Sequence, residues 1–372
     1  MSARRRPRRL EVAMKRLLMI SPMPLYPAND GGRVRIRELA THLSDRYDVH
    51  VSAPAGGDPP LDAPFTLHET PSHGARQFAD ARVPWRIAEI VRHVRPDALM
   101  LEYVWLGLHA APIARLHRLP LLVDAWDVAT TRLRRAGSKL WPLVSAYERL
   151  VLRTASRVFA VSDVDRRSLV ELGAPAAATS IVPNGVDTRA YRPGSDADRQ
   201  MVRARLGVGD GERMLLFFGQ LSYAPNADAV DVLARAIMPR LPDSYRLFVA
   251  GRGPVEELRA RYGGRRVAFV GPVDSLVPYL AAADAVPVPI RHGSGTRLKI
   301  LESVACGVPT VSTPVGCEGI DVGLCGGTLI VRSVMAGFAD AIQEAAMMPH
   351  RQPGDAFAGT YDWRSIAERI AI

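Results

Sequence analysis

The stretch AVPVPIRHGSGTRLKILESVACGVPTVSTP, residues 285–314, contains a short apolar run, a glycine-rich loop, a helical pattern and a second short apolar run. The two runs, AVPVPI and PTVSTP, have the length of buried strands. Thr296 or Ser294 can cap a helix between them, and Gly307 and Pro309 end this helix at about Cys306. A strand, a helix and a strand in this order predict a parallel α/β sheet.

The rest of the chain repeats this alternation. RLLMIS, YDVHVSA, LPLLVDA and RVFAVS in the first part, and MLLFFGQ, YRLFVAG and VAFVG in the second, are apolar runs followed by loop and helix patterns. A chain of 372 residues is too long for one ordinary core. We therefore expect an α/β protein with two Rossmann-like, doubly wound domains that face each other across a cleft. The expected divisions are a basic, disordered tail at 1–14, domains at 15–186 and 187–355, and a last helix at 356–372 that could pack back on the first domain.

Much of the positive charge lies at the start of the chain. The net charge is +10, and Met1 to Arg16 carry seven Lys or Arg against one Glu. No signal-peptide core follows, and no apolar run approaches the roughly 18 residues of a membrane span. Because aromatic residues make up only 6% of the chain, we expect no nucleic-acid partner. The three cysteines lack zinc-site spacing, which favours a reduced, cytoplasmic location.

Charged residues follow the glycine loop closely. The loop consists of Gly293, Ser294, Gly295 and Thr296. Glycines let a ligand approach the backbone, and a helix N-terminus attracts anions through its free N–H groups. Arg297 and Lys299 add positive charge there, and Glu302 can accept hydrogen bonds from a diol such as a ribose. The pattern favours a diphosphate site over a solvated helix face, because most of the helix surface is apolar.

The segment GSGTRLKILESVACGVPTVSTPVGCEGI resembles the nucleotide-binding signature of the retaining glycosyltransferases of GT-B family 4. Other segments resemble further motifs of that family: SPMPLYPANDGGRVRIRELATHLS, VDAWDVATTR, AVSDVDRRSL, IVPNGVDTRAYRP, FFGQLSYAPNADAV and VAGRGP. The resemblance covers nearly the whole chain from Lys15. It implies the GT-B fold, with an acceptor domain before a nucleotide-sugar domain. It also implies transfer of a sugar, with retention, from a nucleoside diphosphate sugar, UDP- or GDP-sugar above all, to an acceptor hydroxyl.

The family's donor motifs imply roles for individual residues. In its Glu-x7-Glu motif, the first Glu holds the donor sugar and the second holds the ribose. Here Glu302 is the second, and Ser294 stands at the first position. Two polar residues stand near the places of the family's usual Arg and Lys: Gln220 and Asn226. Arg297 and Lys299 would then neutralise the departing diphosphate, and no cofactor beyond the donor is implied.

On the acceptor side, Gly31 and Gly32 would let backbone amides reach a phosphate or a sugar across the cleft. Trp126 stands where many relatives have a His. Asp127 follows it and is a catalytic candidate that could bind the acceptor, or it could cap the next helix. Glu102, at the end of DALMLEY, is another candidate for the cleft.

Several alternatives stay open. Ser162 and Asp165 fit a helix capping box better than a metal site, so we expect no metal. The basic, apolar stretch from Arg132 to Val144 could contact an anionic membrane at its inner face, although a solvated helix is the simpler explanation. The acceptor could be a saccharide, a lipid-linked molecule or a small molecule of secondary metabolism. The rival functions are a GT-B epimerase or phosphorylase, and a degenerate nucleotide-sugar-binding partner of another transferase.

Overall fold

Seven parallel strands form the first sheet of the computed structural model, which describes residues 14–57, 60–71, 74–293, 296–334 and 336–372. Their order is β3-β2-β1-β4-β5-β6-β7, which is a doubly wound arrangement. The strands are β1 Arg16–Ile20, β2 Asp48–Pro54, β3 Thr66–Thr70, β4 Ala98–Glu102, β5 Leu121–Ala125, β6 Arg157–Ala160 and β7 Thr179–Ile181. The helices between them are α1 Gly31–Leu43, α2 Arg82–Val94, α3 Gly107–His117, α4 Ala129–Arg135, α5 Trp141–Leu152 and α6 Asp163–Glu171.

The second half of the chain contains two three-stranded parallel sheets, β10-β9-β8 and β11-β12-β13. A bridge between Leu215 and Ala285 connects them, so that β8 lies beside β11 and the same doubly wound order results. The strands are β8 Arg213–Phe218, β9 Tyr245–Ala250, β10 Val267–Gly271, β11 Val286–Val288, β12 Thr310–Ser312 and β13 Leu329–Val331. The helices are α7 Asp196–Leu206, α8 Ala224–Val232, α9 Val255–Tyr262, α10 Val277–Ala282, α11 Leu298–Ala305, α12 Phe338–Ala345, α13 Asp355–Tyr361 and α14 Trp363–Ala367.

Apolar side chains pack on both faces of the first sheet and form a separate core around the second. The last helix, α14, lies against α1, and its Trp363 and Ile366 belong to the core of the first sheet. The backbone N–H of Val186 donates to the carbonyl of Tyr361 at 2.8 Å, where the chain returns to that sheet. The two halves of the molecule are therefore connected at two places in the sequence.

The predicted α/β alternation is confirmed, and the strand runs identified in the sequence all contain strands. Three strands were not predicted: β3, β7 and β13. Two of these, β7 and β13, have only three residues, which is too short for a periodic signal. The expected disorder of the basic tail concerns residues that lie almost entirely outside the described part of the chain.

Candidate functional site

A cavity of about 1240 Å³ lies between the carboxyl ends of the strands of the two halves. Its walls come from the segments after β1 and β5 in the first sheet and after β8, β9, β10 and β11 in the second. Doubly wound sheets bind ligands at this edge, where the loops and helix N-termini converge. The candidate residues Gly31, Gly32, Asp127, Thr296, Arg297, Lys299 and Glu302 all line the cavity.

Helix α11 begins at Leu298, which is one residue later than a cap by Thr296 predicts. Its N-cap residue is Arg297, in an extended conformation, and no side chain of the described residues caps it. The hydroxyl of Thr296 has no hydrogen-bond partner among those residues, so the expected cap by Thr296 is wrong. Ser294 and Gly295 lie outside the described residues. The N–H of Ile300 donates to the Arg297 carbonyl at 3.0 Å, and no described side chain accepts from the N–H groups of Leu298 and Lys299. Such N–H groups are the donors that an anion site requires.

Two buried cations stand at this helix end. Arg297 and Lys299 are 9% and 8% exposed. The Lys299 Nζ donates to Asn226 Oδ1 at 2.7 Å and lies 4.1 Å from the centre of the Phe217 ring. Burial, together with the neighbouring Arg297, lowers the pKa of Lys299 to about 7. Burial also lowers the pKa of Arg297. An anion in the cavity would stabilise the charged form of both side chains.

Glu302 lies one turn further along α11 and lines the same cavity. Burial raises the pKa of its carboxyl to about 7, against the opposing effects of a hydrogen bond from Tyr191 and of the nearby Lys299. Tyr191 was not identified from the sequence, since it lies in a loop more than 100 residues away. The carboxylate is thus held in place with acceptor capacity towards the cavity.

Gly293 packs directly against the Arg297 side chain. Its φ of 115° is in a region that favours glycine, and a Cβ there would lie 2.8 Å from the Arg297 Nη2. Its carbonyl accepts a long hydrogen bond of 3.4 Å from Arg135 Nη1. A side chain at residue 293 would displace the guanidinium of Arg297 from the cavity wall.

Gly31 and Gly32 are the first two residues of α1, whose N-cap Asp30 accepts from the Arg33 N–H at 3.0 Å. A Cβ on Gly32 would lie 3.0 Å from the Trp126 ring. A Cβ on Gly31 would lie 3.5 Å from Leu298, which belongs to α11 in the other half of the molecule. The glycine pair therefore permits close packing at the cleft as well as ligand approach.

Asp127 follows β5 and lines the cavity beside Arg132, whose Nε donates to its Oδ2 at 2.9 Å. The N–H groups of Ala129 and Thr130 donate to the two oxygens of Glu148, at 2.9 and 3.0 Å. Glu148, on α5, therefore caps α4, and the alternative role of Asp127 as this cap is wrong. A carboxylate and a guanidinium thus line the cavity on the side of the first sheet.

Two family models match the chain. The model described as "Glycosyl transferase 4-like domain" matches residues 30–185, and the model described as "Glycosyl transferases group 1" matches residues 212–347. The chain belongs to the group 1 glycosyltransferases. It is therefore an enzyme that transfers a glycosyl group, as the resemblance of the sequence to family 4 implied.

Relatives and solved structures extend this result. The D-inositol 3-phosphate glycosyltransferase of Mycobacterium tuberculosis is 27% identical over an alignment that covers 94% of this chain and 80% of the relative. Anabaena HepE, in complex with UDP and glucose, superposes with a TM-score of 0.73 and 19% identity, covering 96% of this chain and 98% of HepE. Sucrose-phosphate synthase of Thermosynechococcus elongatus has a TM-score of 0.79 and 19% identity, covering 95% and 97%. The predicted GT-B fold is confirmed.

Glu102 of this glycosyltransferase does not reach the cavity. The Glu102 side chain is fully buried beside Asp124. Burial and the neighbouring Asp124 carboxylate raise the pKa of Glu102 well above the usual range. Asp124 accepts two hydrogen bonds of 2.6 Å from the fully buried Arg35. The expectation that Glu102 lies in the cleft is wrong, because its side chain has no exposed surface and interacts with the charges of Asp124 and Arg35 inside the fold.

A salt bridge that the sequence does not reveal joins the two halves across the cleft. Arg135, at the end of α4, binds Glu318 through two contacts of 2.9 Å. Next to it, Gly319 has a φ of 82°, and a Cβ there would lie 2.9 Å from Ser162 Cβ. These partners lie more than 150 residues apart in sequence, so only the fold brings them together.

The basic stretch from Arg132 to Val144 is divided between α4 and α5, so the expectation of one continuous helix over it is wrong. Gly137 interrupts the helical path with a φ of 66°. No helix in the part of the chain that the structure describes is long and apolar enough to cross a bilayer.

The Asp163-Val164-Asp165 segment begins α6. The Ser162 hydroxyl accepts from the Asp165 N–H at 3.1 Å and donates to its carboxylate at 2.6 Å, which confirms the expected capping role. Among the described residues, no group of three or more His, Cys, Asp or Glu side chains is arranged to hold a metal ion.

Proposed function

We propose that this glycosyltransferase uses a nucleoside diphosphate sugar, with UDP or GDP as the nucleotide, and retains the configuration of the anomeric carbon. The observation that carries the donor assignment is the arrangement on α11: two buried cations at a helix N-terminus that no described side chain caps, followed one turn later by a carboxylate in the same cavity. A diphosphate fits the first part and a ribose diol fits the second. Anabaena HepE has been crystallised with UDP-glucose, so UDP is the first nucleotide to test.

The proposed chemistry depends on charge stabilisation. The bond between the anomeric carbon and the donor phosphate oxygen breaks, and the acceptor oxygen bonds to that carbon from the same face. The leaving phosphate oxygen takes the acceptor proton, so no separate protein base is required. Arg297, Lys299 and the first N–H groups of α11 stabilise the charge on the departing diphosphate. Glu302 orients the donor by accepting hydrogen bonds from the ribose.

On the acceptor side, Asp127 and Arg132 are proposed to bind acceptor hydroxyl groups. Their mutual hydrogen bond of 2.9 Å holds both groups at the cavity wall without a ligand. The backbone amides of Gly31 and Gly32, which line the same cavity, are proposed to contact a phosphate or a sugar. The alternative of a degenerate partner protein is not favoured, because the side chains proposed to bind the donor converge on one cavity. No metal ion has a part in this proposal.

Thermal unfolding with UDP, GDP, ADP, dTDP and their common sugars tests the donor assignment. A ligand at about 100 times its dissociation constant stabilises the half that binds it by about 2.7 kcal/mol. Glu302→Ala should abolish the shift in melting temperature, whereas Glu344→Ala, an exposed carboxylate on α12, should leave it unchanged. If Glu302→Ala responds to the nucleotide as the wild type does, the ribose assignment fails. Retention is tested by NMR of the anomeric configuration of the first product.

A further inference from the structure

Helix α5 exposes an apolar stripe on the side that faces away from the core. Leu140, which precedes the helix, Leu143 and Leu150 are 62%, 71% and 55% exposed, and Tyr147 lies between them. Their spacing places all four on one helix face. The opposite face carries the buried residues of the helix: Ser145, Glu148, Val151 and Leu152. The three leucines are therefore not part of the core of the described structure, whereas Tyr147 packs against its edge.

Aromatic residues of neighbouring segments extend this stripe. The Phe78 ring centre lies 4.9 Å from that of Trp105 and 6.2 Å from that of Tyr147, and the Tyr147 hydroxyl donates to the Trp105 carbonyl. Phe78 is 40% exposed and Leu108, at the start of α3, is 49% exposed. We call this set of exposed and partly exposed side chains the apolar face: Phe78, Trp105, Leu108, Leu140, Leu143, Tyr147 and Leu150. Clusters of exposed apolar side chains can mark an interaction site.

The surroundings of the apolar face are strongly basic. Residues 74–153 contain thirteen Lys or Arg and seven Asp or Glu. Three of the carboxylates, Glu102, Asp124 and Glu148, are buried. The basic side chains beside α5 form no ion pair with a described carboxylate: Arg134, Lys139, Arg149 and Arg153. This segment alone has a net charge of +6, whereas residues 17–372 as a whole have a net charge of +4, so the excess positive charge outside the tail is concentrated here.

We propose that the apolar face docks on the surface of an anionic lipid bilayer, and that the acceptor is a saccharide carried on a lipid in that bilayer. Exposed leucines and aromatic rings within a basic border match the interfacial region of a bilayer, where basic side chains are attracted to anionic headgroups. A second copy of the chain is a poorer occupant, because it would bring two basic surfaces together.

The position of α4 connects this surface with the reaction. Helix α4 packs against α5 and carries Arg132, which lines the cavity with Asp127. The same short segment thus reaches from the docking surface to the acceptor side of the cleft. A saccharide on a lipid anchored beside α5 would extend into the cleft past Asp127. This acceptor assignment rests on the proposed function, whereas membrane docking by itself does not.

Flotation of the full chain with vesicles tests the proposal. The vesicles contain either phosphatidylcholine alone or phosphatidylcholine with about 30% phosphatidylglycerol. Leu143→Glu/Leu150→Glu places two charges in the apolar face at positions that are already exposed. Leu61→Glu/Met201→Glu is the matched control, since these residues are 109% and 58% exposed and lie outside the face. Each variant is also tested for the nucleotide-dependent shift in melting temperature.

We expect the wild type and the control to float with the anionic vesicles, and the fraction bound to fall with added salt. The Leu143→Glu/Leu150→Glu variant should bind at least about tenfold less while it keeps the nucleotide shift. Equal vesicle binding of this variant and the wild type would overturn the proposal. A wild-type dimer in light scattering that the same variant abolishes, without vesicle binding, would assign the face to self-association instead. If the nucleotides do not shift the melting temperature of the wild type, the donor assignment is contradicted, whereas the vesicle-binding result still decides the docking proposal.

Discussion

Replacing Arg35 by methionine should destabilise the amino-terminal half more than any change at an exposed charge. The guanidinium is completely buried and donates to both oxygens of Asp124 at 2.6 Å. It also donates to the carbonyls of Val182 and Pro183, at 2.9 and 2.8 Å, and thereby holds α1, β5 and the 182–184 loop together. Its removal leaves the buried Asp124 carboxylate without a counter-ion, which costs about 3–5 kcal/mol.

That loss corresponds to a decrease in melting temperature of about 6–20 °C, since a unit of this size loses roughly 2–4 °C for each kcal/mol. Thermal unfolding followed by circular dichroism measures the decrease in melting temperature of Arg35→Met. The double variant Arg35→Met/Asp124→Leu also removes the unpaired carboxylate and should recover most of the lost stability. Arg82→Met, at an exposed pair with Asp80, is the control and should cost about 0–1 kcal/mol. A loss below about 1 kcal/mol in Arg35→Met, or a double variant less stable than the single one, would refute the reasoning.

Three further outcomes are expected. The pKa of Glu302 is raised to about 7, so the free energy of unfolding should fall as pH rises from about 4.5 to 7; the pKa of Lys299 is lowered to about 7, so the free energy should rise again between about 7 and 10.5. A plot of this free energy against pH should therefore have a minimum near 7 that Glu302→Gln/Lys299→Met lacks, and identical profiles of the two proteins would contradict this. Arg135→Leu should raise KM for the donor by at most about fivefold with kcat unchanged, because its partly exposed ion pair with Glu318 contributes about 0–1 kcal/mol. Adding Glu318→Leu should have no further effect on KM in the same assay, and additive effects of the two substitutions would show that the ion pair is not the cause. Glu148→Ala should lower the free energy of unfolding, measured by urea denaturation, by about 1–3 kcal/mol, because the buried N–H groups of Ala129 and Thr130 lose their acceptor. Glu148→Gln should lower this free energy by less, and equal decreases in the two variants would indicate a packing effect.

The elements with a strong local signal were predictable from the sequence alone. Apolar runs of four or more residues, such as those in β8 and β9, are identifiable because a fully buried parallel strand needs a continuous apolar stretch. The glycine loop, the basic pair and Glu302 were identified because they lie within ten residues of one another, so that their spacing on α11 follows from the helix period. The roles proposed for these residues stay predictions until a donor is bound.

The sequence could not determine which polar groups would share a buried environment. Arg35 and Asp124, Glu148 and α4, and Arg135 and Glu318 are partners that lie between 18 and 183 residues apart. Their pairing depends on strand order and helix packing, which local pattern does not encode. For the same reason the sequence predicts Glu102 in the cleft, although its side chain is fully buried in the fold. Local propensity thus determined most of the elements and the residues of the proposed donor motif, and only tertiary packing decided which charges are buried and which are paired.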